Sequence, residues 1–404
     1  MAVEIADWND LDNVRNDLSG DYVLVNNLDS ETAEYAGIGD DFEPIGFIED
    51  DDFTREFGGS FDGDGFSISD LVIEYDGVDG DIALFASTDD GSLIENLSVA
   101  GSVTVTNSGE FNYAGLVGNQ NGGTIQNCVS HVDVTAPDGE NVGGLVGRNR
   151  NSTVAESYAT GPVEGDDGVG GLVGQNQDTV TESYATGSVE GDDEVGGLVG
   201  KNTDTVTDSY ATGSVEGDDK VGGLVGVDFS NNSDQGIRRC YSYGTVTGNS
   251  DVGGFCGGLG IDRGVFENEG YIFDSYVNIG ESGQDDAIGV IDAEGESDVT
   301  ELSTSEMQGN EAETNMDGFD FADVWDSVLG SDDDTSADGY PILLAVDREQ
   351  QLDAQGILSL TAFTISALVN SESVEIQDIF AQVNDEVREV TEAFALINGS
   401  VEQI

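Results

Sequence analysis

Thr179-Val-Thr-Glu-Ser-Tyr-Ala-Thr-Gly-Ser-Val-Glu-Gly-Asp-Asp-Glu-Val-Gly-Gly-Leu-Val-Gly-Lys-Asn202 decides the fold. It holds three short β-prone runs, separated by Gly-Asp-Asp and Gly-x-Asn segments. No part has helical period, and each run is too short for a helix. Three strands and three turns in about 26 residues describe one coil of a parallel β-solenoid. One coil cannot bury its apolar side chains alone, so it must stack on copies of itself.

The copies are present. Gly-Leu-Val-Gly begins at Gly115, Gly144, Gly171, Gly197 and Gly223, and Gly254-Phe-Cys-Gly257 is a diverged sixth. The intervals are 29, 27, 26, 26 and 31 residues. Ser-Tyr-Ala-Thr-Gly runs in step from Ser157, Ser183 and Ser209, with a looser copy at Cys240. Stacked coils turn these repeats into ladders at ~4.8 Å spacing. Tyr158, Tyr184, Tyr210 and Tyr241 form an aromatic column. Asn149, Asn176 and Asn202 form an amide column. Asp166-Asp167, Asp192-Asp193 and Asp218-Asp219 form an acidic edge.

The 404 residues carry 83 Asp+Glu against 11 Lys+Arg, a formal net charge of −72. Phosphates would be repelled, which excludes a nucleic-acid binder working through a basic surface. Adhesion to an anionic membrane would need bridging cations. Such charge with 37% hydrophobic residues suits disorder in ordinary solvent. Ordered repeats and only two lysines, Lys201 and Lys220, point instead to very salty surroundings. At ~1 M salt the screening length is only ~3 Å. A halophilic archaeal or viral origin is expected. The first eight residues show no secretory signal, and no run reaches the ~20 apolar residues of a bilayer span.

Gly-Leu-Val-Gly resembles the GLUG motif of bacterial, archaeal and viral surface proteins and adhesins. The segment Trp8 to Leu24 looks like that family's opening helix and first strand. Phe57 to Leu71 is similar to its first full coil. Ser303 to Met307, Phe319 to Phe321 with Trp325, and Gly339 to Leu343 resemble its closing segment. The resemblance covers about 1–345. It implies an all-β, right-handed parallel β-helix and no common catalytic residues.

Asp7 suits the cap of a helix carrying Trp8, Leu11, Val14 and Leu18 on one face. The expected parts are 1–50, a cap and first strands; 51–275, the repeats at about 26 residues per coil; 276–345, a closing segment; and 346–404, a small antiparallel β domain. In the last, Phe380 to Val390 matches Phe394 to Ile404 at a 14-residue offset. Each copy centres on Asn-Asp or Asn-Gly, a hairpin signal. These hairpins resemble modules near the ends of tailed-phage tail proteins.

Three cysteines, Cys128, Cys240 and Cys256, make no disulfide framework. Cys128 and Cys240 share a column roughly 19 Å apart, and Cys256 replaces a core valine. Cys128-x-x-His131 lacks a second pair for zinc. His131 is the only histidine, which leaves little for triad chemistry. Lyases and hydrolases on β-helices need basic residues or paired carboxylates gathered at one place. Here Arg148, Arg150, Lys201, Arg238 and Arg239 are scattered, so no enzyme is expected.

Two roles are open to the tyrosine column: wall packing, or a stacking face for glycans. Two are open to Asp166, Asp167, Asp192, Asp193, Asp218 and Asp219: a solvated face holding loose cations, or oxygen ligands for Ca²⁺ or Mg²⁺. Asp62-Gly-Asp64 and Asp332-Asp-Asp334 are weaker calcium candidates, neither matching a full loop motif. Asn96, Asn151, Asn231 and Asn398 head N-x-Ser/Thr sequons.

These readings converge on a virion structural protein of a halophilic archaeal virus: a fibre, spike or turret that contacts host glycan or glycoprotein. It would assemble with other virion proteins as a homo-oligomer, a trimer or, at a capsid vertex, a pentamer. No nucleic acid, membrane insertion or resident cofactor beyond such cations is expected. The alternative is an archaeal cell-surface adhesin or surface-layer-associated protein. A polysaccharide-active enzyme is the third reading.

Overall fold

A computed structural model describes residues 2–47, 56–77, 80–107, 109, 111–231, 233–260, 269–291, 296–327, 339–346 and 351, with the backbone of four short strands between 380 and 403. Asp332 to Asp334 and Leu358 to Ile376 lie outside these residues. The chain divides into two units, Met1–Arg348 and Glu349–Ile404.

The first unit is a parallel β-solenoid of about 8 turns. Its Gly-Leu-Val-Gly strands pair in series: Val117 with Val146, Val146 with Val173, then Val199, Val225, Cys256 and Ile288. A separate six-stranded sheet, from Tyr113–Ala114 to Ser250–Gly253, forms a facing wall. Short strands carrying Tyr-Ala and Val-Glu close each turn. The 26-residue period holds only in the centre, and the average is ~29 residues per turn. Extra residues enter at corners such as Asn151-Ser152, where the register shifts by one residue against the next coil and the strands on either side stay paired.

The interior explains the motif. Leu116, Leu145, Leu172, Leu198, Leu224 and Phe255 are fully buried and stack along the axis. The glycines flanking them have no room for a side chain. A Cβ on Gly197 would strike the carbonyl of Gly223 in the next coil, and one on Gly200 would strike the Gly168–Val169 backbone of the facing wall. Both walls therefore approach at backbone distance on either side of each leucine, and Gly-Leu-Val-Gly is a packing requirement.

At the N-terminal end Trp8–Asp12 forms a helix, with Asp7 accepting from the Asp10 amide at 2.9 Å. A 3₁₀ turn over Asn13–Asn16 follows. Trp8, Leu11 and Val14 are buried, and the Trp8 indole N–H donates to the Asp29 carbonyl at 2.9 Å.

After the last Gly-Phe-Cys-Gly coil, Tyr271–Asn278 and Glu296–Leu302 extend the wall in parallel register. Residues 303–327 and 339–346 then lie back along the outside of the wall. Met307, Ala312, Met316, Phe319, Trp325, Tyr340 and Leu343 form a second apolar cluster with the tyrosine column, separate from the interior. Trp325–Asp326 and Ile342–Leu343 pair as a short antiparallel ribbon in that layer.

In the second unit, Phe380–Val383 pairs antiparallel with Glu386–Glu389, and Phe394–Ile397 with Ser400–Gln403. These are the two hairpins expected from the 14-residue repeat; their Asn-Asp and Asn-Gly turns lie outside the described residues.

Candidate functional site: the laddered outer face

Alternation along each two-residue strand sorts the repeat into inside and outside. In Val163–Glu164, Val189–Glu190 and Val215–Glu216 the valines are buried and stack in register, while the glutamates point away. A Gly-Asp-Asp corner follows. The Asp192 and Asp193 amides both donate to the Asp166 carbonyl, at 2.8 and 3.0 Å. Those of Asp218 and Asp219 donate to the Asp192 carbonyl, at 2.8 and 2.9 Å. Each corner is thus locked one rung above the last, and the carboxylates must sit in columns.

Glu164, Glu190, Glu216, Asp192 and Asp218 line a cleft of about 380 Å³ whose floor includes Gly165, Gly191 and Gly217. The Asp166 carboxyl is held above its usual range by burial and by the neighbouring Asp192 and Asp138 charges. Asp167 is pushed up to about 6, chiefly by burial and then by Glu194. The second row, Asp167, Asp193 and Asp219, is where the lysines go. Lys220 Nζ lies 2.8 Å from Asp193 and 2.7 Å from Asp219. Lys201 lies 2.7 Å from the buried Glu194. Read along the chain, Lys201 looked scattered. The stacking places each lysine beside carboxylates of its own or an adjacent rung.

The six ladder aspartates therefore belong to two rows, one placing Asp192 and Asp218 at the cleft and one bridged in part by Lys220. Asp62 and Asp64 belong to a different rung. Asp62 accepts from the Asp64 amide at 2.8 Å and from Asn96 Nδ2 at 3.0 Å, so it ties two coils together. Among the described residues no three His, Cys, Asp or Glu side chains converge in a geometry able to hold a metal ion.

The tyrosines stack as the sequence places them. Tyr158 to Tyr184, Tyr184 to Tyr210 and Tyr210 to Tyr241 are parallel at 4.6, 4.8 and 4.9 Å. Their role as a glycan-contact face is corrected by burial. Tyr158 is 4% exposed, Tyr210 1%, and Tyr184 and Tyr241 0%. Trp325 lies over Tyr210 and Tyr241, and the Tyr241 hydroxyl donates to the Pro341 carbonyl at 2.6 Å. A sugar has no open ring face to stack on. The column is the seat of the folded-back segment.

The asparagine column is an interior staple. Asn149 Nδ2 donates to Asn176 Oδ1 at 2.7 Å, Asn176 to Asn202 at 2.8 Å, and Asn202 to Asp228 Oδ1 at 2.7 Å. All four residues are fully buried. Every amide donates in the same direction, so the chain must end on an acceptor, and Asp228 supplies it. Its other oxygen accepts from the Ser230 hydroxyl and the Tyr271 amide, both at 2.8 Å. Sequence inspection missed Asp228 because Gly226-Val-Asp228 puts Asp where Asn149, Asn176 and Asn202 stand on the rungs before it.

Burial raises the Asp228 carboxyl to about 7, against the opposing pull of Ser230 and Asn202. In the unfolded chain it ionises near 3.8. Between those values the folded state alone holds the proton, so stability falls as pH rises from about 4 to about 7 and is flat above. The shift corresponds to about 4 kcal/mol at ~1.4 kcal/mol per unit. Asp81 and Asp167, each pushed up to about 6, act in the same sense. Melting in molar salt is therefore expected at higher temperature at pH 5 than at pH 8, and Asp228→Asn should flatten that slope. A slope unchanged in the variant would remove Asp228 as its cause.

The remaining chemistry-bearing residues are structural. Cys128, Cys240 and Cys256 are buried free thiols, with Cys128 pushed up to about 12 by burial. His131 packs edge-on against Tyr158 and bonds Thr160 Oγ1 at 2.6 Å. Arg148 bonds Gln177 on the next rung, Arg239 pairs with Asp208 through two contacts of 2.8 and 2.6 Å, and Arg238 covers Phe273. Arg148, Arg238 and Arg239 are thus spent on holding adjacent coils.

Residues 138–163, 165–190 and 194–216 match the GLUG motif. The central repeats are GLUG repeats. The chain is also 36% identical over 158 residues to Halomucin of Haloquadratum walsbyi, an alignment covering 38% of this chain and 2% of that protein. This chain thus corresponds to a small fraction of its curated relative. A solved Bacteroides ovatus structure, described as a candidate immunoglobulin A1 protease, aligns over 86% of this chain and 93% of its own at 16% identity and a TM-score of 0.46. No helix among the described residues is long and apolar enough to cross a membrane.

Proposed function

We propose that this chain is a non-enzymatic, adhesin-like structural protein of the haloarchaeal cell surface. The observation that carries this reading is the 36% identity to Halomucin, a relative whose name marks it as a halophile's mucin. The GLUG repeats and the solenoid support it, since stacked coils give a stiff wall with a continuous acidic face. Such a face keeps bound water and cations in brine, and Ca²⁺ or Mg²⁺ held loosely along the carboxylate rows would bridge it to other acidic surfaces.

A virion component is the second reading, favoured by the paired terminal hairpins. There the chain would be a homo-oligomer among other virion proteins, meeting host glycan or glycoprotein. Antibody labelling of intact, uninfected halophilic cells separates the two. Labelling of the cell exterior is expected. Absence from the cell surface together with recovery in purified particles would overturn the cell-surface reading.

A further inference from the structure

We propose that Asn151 is an N-glycosylation site, carrying an oligosaccharide on the outer corner of the solenoid. The proposal rests on the surface reading above, because the transferring enzyme and its donor lie outside the cytoplasm.

Asn151-Ser-Thr153 satisfies the acceptor pattern, as does Asn96-Leu-Ser98. The fold distinguishes them. Asn96 is half-buried and occupied: its Nδ2 donates to Asp62 at 3.0 Å, and its Oδ1 accepts from Asn127 at 2.8 Å. A glycan on that nitrogen would break a link between coils. Asn151 is exposed, and its carboxamide makes no hydrogen bond to any described residue. Asn231 is also exposed, but its sequon runs through Asn232, outside the described residues, and Asn398 lies outside them as well.

The register shows why Asn151 projects. Arg150 pairs with Gln177 and Thr153 with Thr179, so two residues here stand against one in the next coil. The extra residue forms a bulge, and Asn151 adopts φ +50°, a left-handed conformation that asparagine tolerates. Ser152 turns inward, where its hydroxyl bonds the Asn149 carboxamide. On the preceding rung the corner is Gly122-Gly123, whose Gly122 amide donates to the Arg150 carbonyl at 2.9 Å. No side chain from those two residues screens Asn151. Thr153, the hydroxyl a transferase requires at the third position, is only part-buried.

The chemistry is a substitution at carbon. Asn151 Nδ2 attacks C1 of an oligosaccharide activated as a lipid-linked phosphate or diphosphate ester. The N–C1 bond forms, the C1–O bond breaks, and the phosphate leaves with the electron pair. The nitrogen gives one proton to a carboxylate of the transferase. No net oxidation occurs.

The full chain is expressed in a halophilic archaeon twice, as it stands and behind a general export leader. Cleavage after Arg150 and Lys201 releases residues 151–201, in which Asn151 heads the sole sequon. Mass spectrometry is expected to find glycan on 151–201 and none on 56–148, which contains Asn96. Asn151→Asp and Thr153→Val should each abolish the modification while keeping the far-ultraviolet spectrum. Bare 151–201 from the exported chain would overturn the proposal and leave the surface reading standing. Glycan only on the leader-bearing chain would still uphold the site. Modification of Asn96 with Asn151 bare would overturn the structural argument.

Discussion

Moving the protein from about 1 M to about 0.1 M KCl is expected to lower its melting temperature by about 5 °C or more. The cause is the enforced proximity of like charges. Glu164–Glu190–Glu216, Asp166–Asp192–Asp218 and Asp167–Asp193–Asp219 each stand one strand apart, because the backbone register allows nothing else. At ~4.8 Å a pair of unit charges repels by about 0.9 kcal/mol in water. A ~3 Å screening length leaves about a fifth of that, and a ~10 Å length about three fifths. Six such pairs lose about 2 kcal/mol on dilution, against a total stability of ~5–15 kcal/mol. The rest of the −72 charge adds to this. Lys220 relieves one pair only. Circular-dichroism melts across a KCl series test the account, and Asp192→Asn with Asp218→Asn should reduce the slope. A melting temperature indifferent to salt would refute it.

Trp325→Ala is expected to release residues 303–327 and 339–346 from the wall while leaving the coils stacked. Trp325 is 0% exposed and lies 4.4 Å from Phe319 and 5.7 Å from Tyr241, centre to centre. Truncating so large a buried side chain costs about 3–5 kcal/mol. The loss falls on the outer cluster, since the interior leucines belong to a separate one. Limited proteolysis should cut within 303–346, while the far-ultraviolet signal of the solenoid persists. Trp325→Phe should be far milder, because among the described residues the buried indole N–H has no acceptor, so its removal breaks no bond. Protease resistance equal to the parent in Trp325→Ala would show that the segment is held by other contacts.

The two predictions draw on different kinds of legibility. The acidic columns follow from counting: a repeat at fixed period, folded as parallel coils, puts Asp166 beneath Asp192 whatever else is true. The lysine positions did not follow, because Lys220 reaches Asp193 across a rung and linear distance hides that. The tyrosine column was likewise placed correctly, and of the two roles left open for it burial decides for wall packing. Period specifies which residues stack, while burial depends on what else packs there, and residues 303–346 carry no repeat that aligns them with it.

By itself the sequence determined the coil, its strands, the in-register ladders, the N-terminal cap at Asp7 and the paired terminal hairpins. All of these are local or periodic properties, set by alternation, turn residues and repeat length. Only the tertiary structure decided that Asp228 ends the amide chain, that the aromatic ladder is covered, and that Asn151 stands clear while Asn96 is engaged. Each depends on a neighbour brought close by folding: Tyr271 on Asp228, Trp325 on Tyr241, and Gly122 beside the Asn151 bulge. Tyr271 and Trp325 lie outside the repeat's period from their partners, and although Gly122 stands one coil from Asn151, the period alone does not show that the Asn151 bulge is left uncovered.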